Sequence, residues 1–180
     1  MEGWFQGALL HFKVQLMVNT GLPLERHLQA SRLRKSIEYL RGDVLDFGGN
    51  EGELAQFVSG DYTLINYDHS NLLDKTYDTI IMLAVLEHID VEEVYKIFNK
   101  FKRILRPRGT IFLTTPSRMA KPVLEFLAAL GLLDGANIEE HKHYWNKTDI
   151  ELLADKTGFQ VIKFGFFQLG FNQMAILKHK

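Results

Sequence analysis

An α/β domain, with a mostly parallel sheet closed by an antiparallel hairpin, is what this sequence predicts. Three observations predict it. From Val44 onward, short apolar strands alternate with amphipathic helices. A glycine-rich turn, Asp46-Phe47-Gly48-Gly49-Asn50-Glu51-Gly52, stands between a strand and a helix-forming stretch. The last two strand segments, Phe159–Phe166 and Asn172–Lys178, are linked through Gly165 to Gly170, too short a connection for a parallel crossover.

The elements follow in order. Phe5, Leu9, Phe12 and Leu16 recur at helical spacing, and Gly21-Leu22-Pro23 interrupts that helix. Ala30, Leu33, Ile37 and Leu40 mark a second helix, with Arg26, Arg32, Arg34 and Lys35 expected on its solvated face, or alternatively forming a surface for an anionic substrate or lipid headgroup. Val44 to Phe47 is a short buried strand, Glu53 to Val58 starts a helix, and Tyr62 to Tyr67 is the second strand. Thr79 to Val85 is apolar nearly throughout, as a strand covered on both faces must be. Val94, Ile97, Phe98, Phe101, Ile104 and Leu105 form a helical stripe, ended by Arg106-Pro107-Arg108-Gly109 before a strand at Thr110 to Thr114. A helix from about Met119 to Leu130 follows, then a loop rich in histidine and aromatics. Thr148 and Glu151 make a capping box for a helix that stops at Gly158.

Composition narrows the classes. The chain has 180 residues, enough for one substantial core; it is 46% hydrophobic and 24% charged, the balance of a globular protein. Its net charge of −1 gives no sign of a nucleic-acid partner. Without cysteine there are no disulfides, thiolate metal sites or thiol nucleophile, which is compatible with a cytoplasmic setting. No apolar run is long enough for a membrane-spanning helix, although peripheral contact with a membrane stays open. Trp4 to Val18 carries His11, Lys13 and Gln15 and lacks a basic start and a small-residue cleavage site, so it does not read as a signal peptide.

The glycine turn brings backbone N–H groups close to a ligand. Gly48 and Gly52 suit positive φ, and Asn50 is among the few other residues that tolerate it. The turn is neither a G-x-G-x-x-G fingerprint nor a P-loop, so dinucleotide and nucleotide-phosphate readings lose ground. By itself it is also explained as a purely structural turn. Asp68 ends the next strand, 22 positions after Asp46, where a carboxylate can accept both hydroxyls of a ribose.

Further blocks extend the pattern. Tyr77-Asp78-Thr79-Ile80-Ile81 and Val85-Leu86-Glu87-His88-Ile89 are followed by Ile104-Leu105-Arg106-Pro107-Arg108-Gly109. His143-Tyr144-Trp145 then precedes Leu152, Leu153 and Gly158-Phe159. In this order and spacing the blocks resemble class I S-adenosylmethionine (SAM)-dependent methyltransferases, notably the small-molecule branch with a VLEHI motif that includes ubiquinone-biosynthesis enzymes. The resemblance covers about residues 41 to 180, leaving 1–40 as an N-terminal helical cap. It implies a Rossmann-like three-layer sandwich and SAM as cofactor. It implies cofactor contacts at Asp46, Gly48, Gly49, Asn50, Gly52, Asp68 and Leu83, with Asp74 or its neighbours toward adenine.

The sequence departs from that family in one place. Asp68 and Asp78 are ten positions apart, too few for a crossover helix and a strand. The usual third strand should be missing, the Tyr62 strand should lie at the sheet edge, and a homodimer through that edge is one way to cover it.

Methyl transfer needs proximity and orientation, and for a hydroxyl acceptor a base. Candidates are His88, Glu87 and His141, with His143 nearby; each also has a plain structural role as cap, loop or lid anchor. A metal held by Glu140, His141, His143 and His88 is the less favoured alternative, and no metal ligand is assigned. The expected acceptor is a small molecule (a lipid, quinone or saccharide-like group, methylated at O or N). The competing expectation is a catalytically degenerate SAM-fold binding protein.

Overall fold

The computed structural model describes residues 22–66, 75–132 and 142–180. The sequence-predicted sites Asp68, Asp74 and His141 lie outside the described residues, as does the first predicted helix.

Helix α1 (Pro23–Ile37) begins with proline at its first position, where the missing N–H costs nothing. The Leu22 N–H donates to Glu25 Oε2 at 2.9 Å. Strands β1 (Val44–Phe47), β2 (Tyr62–Ile65) and β3 (Tyr77–Leu83) are parallel. Helix α2 (Val91–Ile104) leads to β4 (Leu105–Pro116), which pairs parallel to β3. Helix α3 (Ala120–Ala129), helix α4 (Lys147–Thr157) and the antiparallel strands β5 (Phe159–Phe167) and β6 (Asn172–His179) complete the described residues. The strand order is β2-β1-β3-β4-β6-β5. Among the described residues nothing pairs with the outer edge of β2, as the short Asp68–Asp78 connection predicts.

Two apolar layers sandwich the sheet. On one face α2 buries the whole stripe Val94, Ile97, Phe98, Phe101 and Ile104 against Leu45, Phe47, Ile80 and Leu113, with α4 alongside. Phe101 meets Phe47 edge-on at 5.4 Å between ring centroids. Each such fully buried large side chain contributes about 1.5–3 kcal/mol. On the other face Ala30, Leu33 and Leu40 pack with Val44, Leu54, Ile81, Phe112, Met174 and Ile176.

Several expectations are corrected. The helix expected from Glu53 is only a 3-10 turn, Ala55–Phe57. Residues 53–61 must also return the chain to the start of β2, and so few residues cannot do both. Leu54 and α1 cover that part of the sheet instead. Strand β3 stops at Leu83 rather than Val85 because Ala84 turns away at φ 55°. Strand β4 starts at Leu105, so the Arg106–Gly109 segment is absorbed into it, with a register irregularity between Tyr77 and Thr79. A Cβ on Gly109 would lie 2.9 Å from the Asp78 carbonyl oxygen, which explains glycine there. The capping box of α4 is formed by Asn146 and Asp149, not Thr148 and Glu151: the Asp149 N–H donates to Asn146 Oδ1 and the Asn146 N–H to Asp149 Oδ2, both at 3.0 Å. Asn146 is the last extended residue, so the cap must sit there. Gly158 ends α4 at φ 82°, as expected.

At the amino-terminal end of the parallel strands, Arg106 forks between two carboxylates. It donates to Asp43 Oδ2 at 2.7 Å and to Asp78 Oδ2. Asp78 Oδ2 also accepts the Asp43 N–H at 2.9 Å.

Candidate active site

The predicted site residues that are described gather at the carboxyl-terminal end of β1 and β3, where open α/β sheets bind ligands. Asp46 is the third residue of β1 and is buried. Tyr62, from the adjacent strand, donates its phenol hydrogen to Asp46 Oδ2 at 2.6 Å. The other oxygen, Oδ1, is buried and accepts no hydrogen bond among the described residues. Burial pushes the Asp46 carboxyl up to about 6; the Tyr62 bond opposes this, and Glu53 adds to it. A buried acceptor atom beside a glycine turn is suited to a donor on a ligand.

The turn has the conformations that its residues permit. Gly48, Asn50 and Gly52 take φ of 81°, 50° and 77°. Gly48 N–H donates to the Ile65 carbonyl at 2.7 Å, fixing the turn to β2, and Asn66 Nδ2 donates to the Asn50 carbonyl at 2.8 Å. Gly49 is required for space, since a Cβ there would stand 2.2 Å from Asp46 Oδ2. Leu83, at the end of β3, is partly buried in the α1-side layer.

Glu87 and His88 lie in a 3-10 turn, Leu86–His88, directly beyond β3. Glu87 is 1% exposed and its Oε2 has no hydrogen-bond partner among the described residues. Burial raises this carboxyl to about 7, against its own backbone N–H, Arg32 and Thr115, which favour the charged form. The Thr115 hydroxyl faces the carboxyl without reaching hydrogen-bond geometry. His88 is half-buried.

The predicted His-Tyr-Trp block packs on this turn. Trp145 Nε1–H donates to the Leu86 carbonyl at 3.2 Å, and the Lys142 N–H donates to the Glu87 carbonyl at 2.8 Å. His143 stacks edge-on against Trp145 and lies 3.4 Å from Asp149 Oδ2. His143 is thus tied to the α4 cap. Among the described residues no group of three potential metal ligands comes together.

Sequence reasoning missed several contributors. Tyr62 holds Asp46, and only strand register brings them together. Thr114, Thr115 and Asn172 are buried at the same end of the sheet, and Thr114 Oγ1, Thr115 Oγ1 and Asn172 Oδ1 lack partners among the described residues. The signal for Asn172 and Gln173 was present: two amides open a strand that is otherwise apolar through Leu177. Arg32, expected on a solvated face, is instead partly buried. Burial lowers its pKa, and Glu87 and Glu25 pull it back up.

Comparisons with known proteins place this architecture. Residues 24–163 match the family model described as a methyltransferase domain. A SAM-dependent methyltransferase from Archaeoglobus fulgidus superposes with TM-score 0.65 at 16% identity, covering 84% of this chain and 93% of that one. One from Bacteroides fragilis, in complex with S-adenosylhomocysteine, gives TM-score 0.60 at 16% identity, with 82% and 76% covered. A small RNA 2'-O-methyltransferase of Tetrahymena thermophila is 27% identical across 73% of this chain, which spans only 36% of that relative. The fold is that of class I SAM-dependent methyltransferases. The chain belongs to the methyltransferase-domain family.

Proposed function

We propose that this protein transfers the methyl group of SAM to a hydroxyl or amine of a small-molecule acceptor, saccharide-like, quinone or lipid. Family membership supports methyl transfer. The observation that carries the site assignment is buried Asp46, with Oδ1 unpaired beside a turn whose glycines leave room for a ligand. In this reading Asp46, Gly48, Gly49, Asn50, Gly52 and Leu83 hold the cofactor, Asp68 takes the ribose, and Asp74 lies toward adenine. Residues 1–40 serve as a cap, and the setting is cytoplasmic.

SAM supplies an activated methyl group on sulfur. The chain's own residues do the rest. The glycine turn and Asp46 fix the donor, and the apolar wall of Ile81 and Leu83 limits water. Glu87 Oε2 would take the proton that the acceptor's hydroxyl or amine gives up when it gains the methyl group, the methyl–sulfur bond of SAM breaking to leave S-adenosylhomocysteine. A carboxyl raised to about 7 by burial suits that role near neutral pH. His88, in the same turn, and His141 are the alternative bases.

A second acceptor class, RNA, is favoured by the Tetrahymena relative's description as a small RNA 2'-O-methyltransferase. Calorimetry with S-adenosylhomocysteine tests the cofactor site, and labelled SAM with panels of small molecules and short RNAs tests turnover. Asp68→Ala should weaken cofactor binding about ten- to a hundredfold. Cofactor binding without turnover on any panel would favour the degenerate binding protein. No binding would overturn the reading.

A further inference from the structure

Helix α1 does more than cover the sheet. Gln29 Nε2 donates to Glu53 Oε1 at 2.9 Å, just beyond the glycine turn. The Leu28 carbonyl accepts from Gln168 Nε2 at 2.9 Å, and Gln168 Oε1 accepts from Asn172 Nδ2. Residues three and four positions further along a helix lie on the same side, one turn on. Arg32 is that residue for both contacts. It therefore lies on the face of α1 that runs between the cofactor turn and the β5–β6 connection, within electrostatic reach of Glu87.

The helix is strongly basic: Arg26, Arg32, Arg34 and Lys35 stand against Glu25 alone. Glu25 lies on the same helix as Arg32, and Glu87 is a buried carboxyl that ionises only partly near neutral pH. Among the described residues the charge of Arg32 is thus only partly balanced. At the carboxyl-terminal end of the sheet, Glu87 Oε2 and Asn172 Oδ1 are buried acceptor atoms without donors among the described residues, and the Thr115 hydroxyl faces the Glu87 carboxyl.

We propose that Arg32 is a specificity-determining residue of the transferase site, binding an anionic group (carboxylate or phosphate) of the acceptor while Glu87, Thr115 and Asn172 receive its hydroxyl or amine hydrogens. The inference rests on the methyltransferase reading and narrows the acceptor to a polar, anionic molecule. A neutral quinone does not fit it. A guanidinium is well matched to both anions through two parallel hydrogen bonds.

The test uses the full chain saturated with S-adenosylhomocysteine and titrated with inorganic phosphate or acetate. One or both should bind, and Arg32→Gln should weaken that binding about ten- to a hundredfold, as for hydrogen bonds to a charged group. Arg32→Lys should recover part of it, and affinity for S-adenosylhomocysteine should change less than threefold. Phosphate binding alone points to a phosphorylated acceptor, acetate binding alone to a carboxylated one. Anion binding that is absent, or unchanged in Arg32→Gln, overturns the assignment while leaving the cofactor site standing. Absence of S-adenosylhomocysteine binding overturns the transferase reading and this inference with it. If Arg32→Gln does not fold, the Arg32 Nε–H resonance of the wild-type protein decides: it shifts on anion addition if the proposal holds and stays fixed if it fails.

Discussion

Tyr62 and Asp46 are joined across two parallel strands by a 2.6 Å hydrogen bond, phenol to carboxylate. Strand β2 is an edge strand of four residues, yet it supplies the only described partner to the acid at the mouth of β1. Tyr62→Phe removes the donor and keeps the ring. Hydrogen bonds to a charged group contribute about 1.5–3 kcal/mol, and Tyr62 is only half-buried, so a loss near the lower end is expected. Urea unfolding near neutral pH measures it. A change under about 0.3 kcal/mol would mean that solvent replaces the phenol at no cost.

The two buried acids give stability a pH dependence of definite sign. Asp46 rises from 3.8 to about 6 and Glu87 from 4.5 to about 7. Between the ordinary and the raised values the folded protein keeps protons that the unfolded chain has released. These groups therefore stabilise the fold most below pH about 4, and their contribution is lost as pH rises toward 7. Each accounts for about 3 kcal/mol at most. Glu87→Gln should flatten the decline between 4.5 and 7, and Asp46→Asn the part between 3.8 and 6. Denaturant midpoints of the ligand-free protein across this range check it. Stability rising with pH through both windows would contradict the burial argument.

Gly49 leaves no room for a side chain. In Gly49→Ala the new methyl would meet the Asp46 carboxylate at 2.2 Å, so either the turn or the acid must move. Affinity for S-adenosylhomocysteine should fall at least tenfold while circular dichroism remains native. Gly131→Ala is the control for the loss of a glycine, with open space around its Cβ. Unchanged affinity in Gly49→Ala would remove this turn from the cofactor site.

Trp145 holds the segment after residue 141 to the Glu87–His88 turn. Trp145→Phe keeps most of the buried ring and deletes the Nε1–H, leaving the Leu86 carbonyl without that donor. The expected cost is about 1–3 kcal/mol. Turnover should drop more than cofactor affinity, because the turn that carries Glu87 loses its support. Equal losses in both would place the effect in the fold as a whole.

The parts of this fold legible in the sequence were those governed by local periodicity. The α2 stripe from Val94 to Ile104 is buried residue for residue, and β1 and β6 lie where their apolar runs put them. The glycine turn was legible because Gly48, Asn50 and Gly52 are residue types that accept positive φ. Through-space partners were not. Tyr62 reaches Asp46 only through inter-strand register, and Arg32 approaches Glu87 only because α1 lies across the sheet in place of the expected helix after Gly52. Helical propensity in Glu53–Val58 was overridden by chain length, a constraint that no residue in the segment announces.

The fork of Arg106 between Asp43 and Asp78 has a consequence for how the protein tolerates change. It ties the starts of β1 and β3, together with the Asp43 N–H, into one closed electrostatic knot at the end of the sheet remote from Glu87. Among the described residues, the opposite rim keeps polar atoms without partners, which is energetically unfavourable until a ligand arrives. Rigidity and reactivity are thereby housed at opposite poles. In a saturation library, replacements at Asp43, Asp78 and Arg106 would register as lost cellular abundance. An apolar replacement at Thr115 would leave abundance level or higher and silence turnover, so a two-channel screen would draw the boundary between scaffold and workshop.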